Sequence, residues 1–196
     1  MIAIVKYNAG NIQSVKYALE RLGAEFVVSD DPNVLRNADK IIFPGVGEAS
    51  TAMNYLKQSR LDEVLKTLTQ PFLGICLGLQ LMCKTSVENN TKCLDIFDYQ
   101  VTKFDEAKGD KIPHMGWNQI TFDQENPLFK GISQNSFVYF VHSYYVPLGK
   151  ETLAKCEYAQ TPFSAALFKD NYYGVQFHPE KSGVIGSKLL KNFMEL

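Results

Sequence analysis

Phe72-Leu73-Gly74-Ile75-Cys76-Leu77-Gly78-Leu79-Gln80 is the stretch that decides the architecture. Its first four residues are apolar and short enough for a buried strand. Leu77, Leu79, Leu81 and Met82 then continue at once as a helical pattern, so the segment reads as strand, sharp turn, helix. Gly74 and Gly78 allow a turn so crowded that a Cβ would obstruct it. Cys76 stands at that elbow, its sulfur at the open end of a sheet beside the first N–H groups of a helix. Those groups and the helix dipole favour thiolate, the form that attacks carbon. Much later comes His178-Pro179-Glu180, a base with a carboxylate two residues away. Pro179 disfavours helix at the residue before it, and an extended stretch there would put both side chains on one face. Nucleophile, base and orienting acid are the parts of a cysteine-dependent acyl-transfer site.

On the N-terminal side of the elbow, strand-like and helical segments alternate. Ile2–Val5 predicts a strand, followed by the polar turn Asn8-Ala9-Gly10-Asn11. Ile12, Val15, Leu19 and Leu22 fall at helical spacing, with Gly23 where a C-terminal cap belongs. Phe26–Val28 is a second strand, and Asp30-Asp31-Pro32 opens a helical turn. Ile41–Phe43 runs into Pro44-Gly45-Val46-Gly47, and Met53, Leu56, Leu61, Val64 and Leu65 suit one or two helices. Alternation of this kind predicts an α/β fold, a largely parallel sheet flanked by helices. The second half differs. Ile96–Phe104, Trp117–Phe122, Phe137–Val141, Thr152–Tyr158, Phe163–Lys169 and Tyr172–Phe177 are strand-like without helices between them, predicting added antiparallel strands. Lys169-Asp170-Asn171 looks like a hairpin turn. A closing helix over Gly183–Met194 would turn Val184, Leu189, Leu190 and Phe193 inward. Residues 105–111 read as a mobile loop, and residues 1–196 as one domain.

Composition narrows the function classes. Hydrophobic residues at 45% and charged residues at 21% are the balance of an ordinary globular protein. A net charge of −1 gives no electrostatic reason to expect nucleic acid or an anionic membrane. No apolar run approaches the ~20 residues of a membrane span. The N-terminal strand is broken by Lys6 and lacks the pattern of a signal peptide. Cys76, Cys83, Cys93 and Cys156 form no CxxC pair, so the expectation is reduced thiols in the cytoplasm, with no metal and no cofactor.

Acyl transfer also needs donors for the negative charge that grows on the carbonyl oxygen. The Leu77 N–H, next to the nucleophile, is one natural donor, and Pro44-Gly45-Val46-Gly47 is a candidate for the other. His114 and His142 compete with His178 for the base role. His114 lies in a loop-like segment, and His142 ends an apolar strand, where a hydrogen-bonded structural histidine is expected. Only His178 has a carboxylate two residues away.

Gly-x-Cys-x-Gly-x-Gln with a late His-Pro-Glu resembles the class I (triad) glutamine amidotransferases. Further segments are similar to the glutaminase subunits of imidazole glycerol phosphate synthase. They are Asn8-Ala9-Gly10-Asn11, Phe43-Pro44-Gly45-Val46-Gly47, Pro113-His114-Met115-Gly116-Trp117-Asn118, Tyr139-Phe140-Val141-His142-Ser143-Tyr144-Tyr145 and Gln176-Phe177-His178-Pro179-Glu180-Lys181-Ser182. The resemblance implies a flavodoxin-like amidotransferase fold and hydrolysis of L-glutamine to glutamate and ammonia for histidine biosynthesis. It also implies a partner, a (β/α)8 cyclase subunit forming a heterodimer with this chain. The partner would use the ammonia to make imidazole glycerol phosphate and an aminoimidazole carboxamide ribotide. Carried over by motif, Cys76 is the nucleophile, His178 the acid and base, and Glu180 its partner. Val46 and Leu77 offer the oxyanion donors. Gly47, Gln80, Glu88, Ser143 and Tyr144 fall where the family binds glutamine, Glu88 being suited to its ammonium. Asn11, Trp117 and Lys181 match interface positions. Two segments depart from the pattern: Lys6-Tyr7-Asn8 in place of an acidic residue with Tyr-Gly, and Lys92–Asp98 in place of a glycine-rich stretch. Rival readings are the glutaminase of another synthase, a small stress-protein type of cysteine hydrolase, and a non-catalytic subunit. The second places His directly after its cysteine, where this chain has Leu77.

Overall fold

The computed structural model describes residues 1–8, 10–108, 110–123 and 125–196. Successive residues of β1 (Ile2–Val5) enter two different cores: Ile2 and Ile4 one, Ala3 and Val5 the other. In β3 (Lys40–Phe43) and β4 (Phe72–Ile75), Ile42, Leu73 and Ile75 join the first core, and Ile41, Phe43 and Phe72 the second. Strands buried on both faces carry no polar alternation, and so they read as continuous apolar runs. The first core is closed by α1 (Ile12–Arg21) and α6 (Gly183–Glu195), through Val15, Leu19, Leu189, Leu190 and Phe193. The second is closed by α2 (Pro32–Asn37), α3 (Ala49–Gln58), α4 (Leu61–Leu65) and α5 (Leu77–Met82). In that core the rings of Tyr7, Phe43, Phe72 and Tyr172 pack in series, tying the strands across the sheet.

The main sheet has the order β11 (Thr152–Tyr158), β12 (Thr161–Lys169), β13 (Tyr172–Val175), β4, β3, β1, β2 (Phe26–Ser29). The run from β13 to β2 is parallel, and β12 and β11 extend it antiparallel. This is the α/β arrangement with appended antiparallel strands that the pattern predicts. A second sheet orders β10 (Tyr144–Tyr145), β7 (Phe97–Lys103), β5 (Cys83–Ser86) and β6 (Thr91–Lys92). An antiparallel pair joins β8 (His114–Ile120) to β9 (Ser136–His142).

Several details differ from the sequence expectations. The strand expected from Trp117 begins at His114, because full-length pairing with β9 carries polar His114 and Asn118 along. The strands β5, β6 and β10 are too short for a hydrophobic period to show, and β5 pairs parallel with β7 among the otherwise antiparallel additions. Val184 is 84% exposed, not inward. It lies five positions before Leu189, roughly 140° around the helix from the buried stripe. The stretch after His178 is not extended either: Pro179–Lys181 forms a 3₁₀ turn. In the segment expected to be mobile, Glu106–Lys108 makes another such turn, and Gly109 lies outside the described residues, as does Ala9 of the first polar turn.

Candidate active site

The carboxyl ends of β1, β3, β4 and β13 converge on one edge of the sheet, where open α/β sheets bind ligands. They deliver Tyr7, the segment Pro44–Gly47, Cys76, and Gln176–His178. Cys76 bridges β4 and α5 with φ 53° and ψ −107°, a conformation costly for a residue with a Cβ. It is pinned by its N–H to the Val175 carbonyl (2.8 Å) and by the Gln80 N–H to its own carbonyl (3.2 Å). The elbow closes because residue 78 is glycine, since a Cβ there would sit 1.9 Å from the Phe43 carbonyl oxygen. Cys76 lines a cavity of about 310 Å³, together with Val46, Gly47, Leu77, Gln80, Glu88, Ser143 and Tyr144.

His178 Nδ1 lies 2.7 Å from Glu180 Oε1, both side chains fully buried. His178 itself is extended (φ −100°, ψ 95°), and the following 3₁₀ turn curls the Glu180 carboxylate back onto the ring. The pairing expected from strand alternation is thus made by a turn. Because the carboxylate accepts, Nδ1 carries the proton, and Nε2 has no hydrogen-bond partner among the described residues. Burial pushes the imidazole down. The charges of Cys76 and Glu180 and the hydrogen bond to Glu180 act the other way, and together they hold it well above the ordinary histidine range. Asn11 donates from Nδ2 to the same Glu180 oxygen (2.5 Å). The residue expected at a partner surface therefore also touches the carboxylate of the proposed triad. Trp117 is 55% exposed, and Lys181 is exposed with its ammonium 6.0 Å from the Tyr139 ring centroid.

The two expected oxyanion donors reach the cavity wall, but neither N–H is presented to an oxyanion. The Leu77 N–H donates to the Gly45 carbonyl at 3.3 Å. In a trans peptide the C=O and N–H point in opposite directions, so the Val46 N–H faces away from the elbow. Two further bonds hold this conformer: Tyr7 O–H to the Pro44 carbonyl (2.6 Å) and Gly10 N–H to the Val46 carbonyl (3.3 Å). An otherwise unpaired N–H at the start of a helix takes the nearest carbonyl. The sequence names the segment but not which way its peptide faces.

Around the cavity, Gln80 Nε2 donates to the Tyr144 carbonyl (2.9 Å) and to Gln176 Oε1 (3.0 Å). Both its N–H groups are then spent, and Oε1 is left as its acceptor. Glu88 accepts from the Ala49 N–H (2.8 Å), and burial raises its carboxyl. The Tyr144 carbonyl also accepts from His142 Nδ1 (2.7 Å). Neutral His142 must then accept at Nε2 from His114 Nδ1 (3.0 Å), and His114 Nε2 from Asn118 (3.3 Å). These histidines form a buried structural chain, as expected for His142, whereas His114 opens a strand and does not lie in a loop.

Burial pushes His142 down to about 3 and His114 to about 4. Below the ordinary value near 6.5 the unfolded chain binds protons that the folded chain refuses, so stability is full above that pH and falls as pH drops. His142 alone should cost about 1.4 kcal/mol per pH unit below about 6. Urea unfolding at pH 7 and pH 5 should show this loss, with a shallower slope in His142→Asn. Equal slopes in the two proteins would contradict it.

Gln176 is a site residue that the motif reading did not single out. The available signal was a polar residue in the apolar run Tyr172–Phe177, since buried polar groups need partners. Among the described residues no cluster of three or more His, Cys, Asp or Glu is placed to hold a metal ion.

Residues 3–196 match the family described as glutamine amidotransferase class-I. The chain is 58% identical over 196 residues to the Bacteroides fragilis protein named imidazole glycerol phosphate synthase subunit HisH, covering 100% of this chain and 99% of that one. It is 48% identical over 203 residues to the Shewanella loihica protein of the same name, covering 98% and 89%. A Thermoplasma acidophilum crystal structure described as a GMP synthase subunit is 20% identical with a TM-score of 0.76, covering 100% of this chain and 92% of that one. At that identity it speaks for the fold alone, and the fold is the one that the resemblance implies. The chain belongs to the class-I glutamine amidotransferase family.

Proposed function

We propose that this chain hydrolyses L-glutamine through a Cys76 thioester and delivers the ammonia to a (β/α)8 cyclase partner in histidine biosynthesis. The observation that carries the reading is the strained Cys76 in the wall of a cavity, beside a buried His178–Glu180 pair. Cys76 attacks the side-chain amide carbon of glutamine, His178 protonates the departing ammonia, and a water activated by His178 then cleaves the thioester to glutamate. Glu180, held by Asn11, keeps the ring in the tautomer that leaves Nε2 available. Glu88 and the Gln80 Oε1 are acceptors suited to the substrate ammonium, with Gly47, Ser143 and Tyr144 completing the wall.

A partner is supported by the outer face of the β8–β9 pair. Met115, Trp117 and Phe137 there are 66%, 55% and 52% exposed, alongside Tyr139 and Lys181, a clustering that marks interaction surfaces. No helix among the described residues is long and apolar enough to cross a membrane. The four cysteines are free, which suits the cytoplasm as the compartment we propose.

The test is to assay glutamate release by the chain with and without the cyclase, and to pull the two down together. Absence of both stimulation and association would refute the assignment. In the same assay Glu88→Gln should raise the Michaelis constant on the order of tenfold with little change in kcat, since its contact exists in ground and transition states alike. An unchanged Michaelis constant would remove Glu88 from the ammonium site.

A further inference from the structure

We propose that Gln176 is a hydrogen-bond donor to the nucleophilic sulfur, holding the Cys76 thiolate in place, and that Gln80 sets its orientation. The inference rests on the reading of Cys76 as nucleophile. Gln176 is completely buried, and its Nε2 lies 3.6 Å from Cys76 Sγ.

A side-chain amide has two ends that look alike, and here the network decides between them. The fixed point is the Tyr144 main-chain carbonyl, which can only accept. Gln80 must therefore turn its nitrogen toward that carbonyl (2.9 Å). The second N–H of that nitrogen needs an acceptor, so the end of Gln176 at 3.0 Å is Oε1. The opposite end of Gln176, facing the sulfur, is then the NH₂ group.

The other polar contact of the sulfur works in the reverse sense. As a thiol, Cys76 donates to the Val141 carbonyl at 3.8 Å, a bond lost on ionisation. The Gln176 N–H instead strengthens when the sulfur is charged, because a bond to an ionised acceptor is about twice a neutral one. Among titratable neighbours, His178 faces the sulfur from the segment after β13 and acts in the same direction as Gln176. Tyr7, from the turn after β1, stays protonated by burial, and its hydroxyl is committed to Pro44. His142, which ends β9, stays neutral. Gln176 is thus a permanent donor whose effect does not depend on its own protonation. Through Gln80, which lines the cavity, its orientation is linked to the place where substrate sits.

The test reads the sulfur without using glutamine, so its failure is distinguishable from failure of the glutaminase assignment. The rate of Cys76 alkylation by iodoacetamide is followed from pH 5 to 10 in the parent and in Gln176→Met, Gln176→Glu and Gln80→Met. Cys76→Ala subtracts the other thiols. Gln176→Met keeps the volume and removes the donor. It should move the profile about one pH unit to the alkaline side, and alkylation at pH 7 should slow about tenfold. Gln176→Glu keeps the shape and the acceptor for Gln80 but sets an oxygen against the sulfur, so its shift should be larger. Gln80→Met leaves Gln176 free to turn and should shift the profile less. In glutamine turnover with the partner, kcat should fall with little change in KM, because Gln176 is not part of the cavity lining. Profiles of both Gln176 variants that superimpose on the parent's would overturn the proposal. If Gln176→Met does not fold, a superimposing Gln176→Glu profile suffices to overturn it.

Discussion

Replacing Cys76 by alanine is expected to lower glutamine hydrolysis on the order of 10⁴-fold or more, the scale seen when a nucleophile is removed from such a unit. The other thiols offer no substitute. Burial raises Cys83, Cys93 and Cys156, and none of them lines the cavity. The partner should keep its ability to use added ammonium salts, since those bypass the thioester. Measuring glutamate release and ammonium-dependent product formation side by side separates the outcomes. Near-normal glutamine turnover would contradict the assignment, whereas loss of both activities with a changed circular dichroism spectrum would mark a folding defect.

The free chain should hydrolyse glutamine at least about 10²–10³ times more slowly than the complex, the cost of a missing oxyanion donor. The resting geometry supplies the reason. The Leu77 N–H is occupied by the Gly45 carbonyl, and the Val46 N–H points away. Turning the Gly45–Val46 peptide over would release the first donor and bring in the second. A partner can drive that turn only by binding the turned conformer more tightly. Shifting the balance from about 1:99 to 99:1 takes roughly 5.5 kcal/mol of differential affinity. Lys181 and Asn11 are placed to carry the signal: Lys181 lies exposed next to Glu180, and Asn11 bonds the Glu180 carboxylate. Lys181→Ala, assayed in the reconstituted pair with the partner's ligand present or absent, should lose most of the stimulation. Undiminished stimulation, or a free chain already as fast as the complex, would refute the coupling.

Much of this was legible in the sequence because the decisive features are local. Gly74 and Gly78 around Cys76 leave few conformations other than an elbow, and the apolar runs at Ile2, Ile41 and Phe72 are short and unbroken, as doubly buried strands must be. What was not legible depends on long-range partners. The Lys84-Thr85-Ser86 stretch of β5 carries no hydrophobic period, and it becomes a strand by pairing with β7 on one side and β6 on the other. The facing of the Gly45 carbonyl is a rotation that leaves composition and spacing unchanged, and it is selected by partners elsewhere in the chain: the Leu77 N–H, the Tyr7 hydroxyl and the Gly10 N–H. The spacing of His178 and Glu180 suggests an extended pair, yet the Pro179–Lys181 turn brings them together by another route. Asn11 is remote in sequence from Glu180, and nothing around it announces the contact. Gln176 did leave a trace, as a polar side chain in the apolar run Tyr172–Phe177, but its role depends on Gln80 and Tyr144, both far away in the chain.

The central claim, that glutamine is cleaved through a covalent bond to Cys76, is tested most directly by trapping that bond. The chain, assembled with its partner, is mixed with glutamine, quenched in acid within milliseconds to seconds, and analysed by intact and peptide mass spectrometry. The account predicts a species heavier by one glutamyl group, located on the peptide containing Cys76 and absent from Cys76→Ala. Ammonia release with no adduct at any quench time, or an adduct that persists in Cys76→Ala, would contradict it.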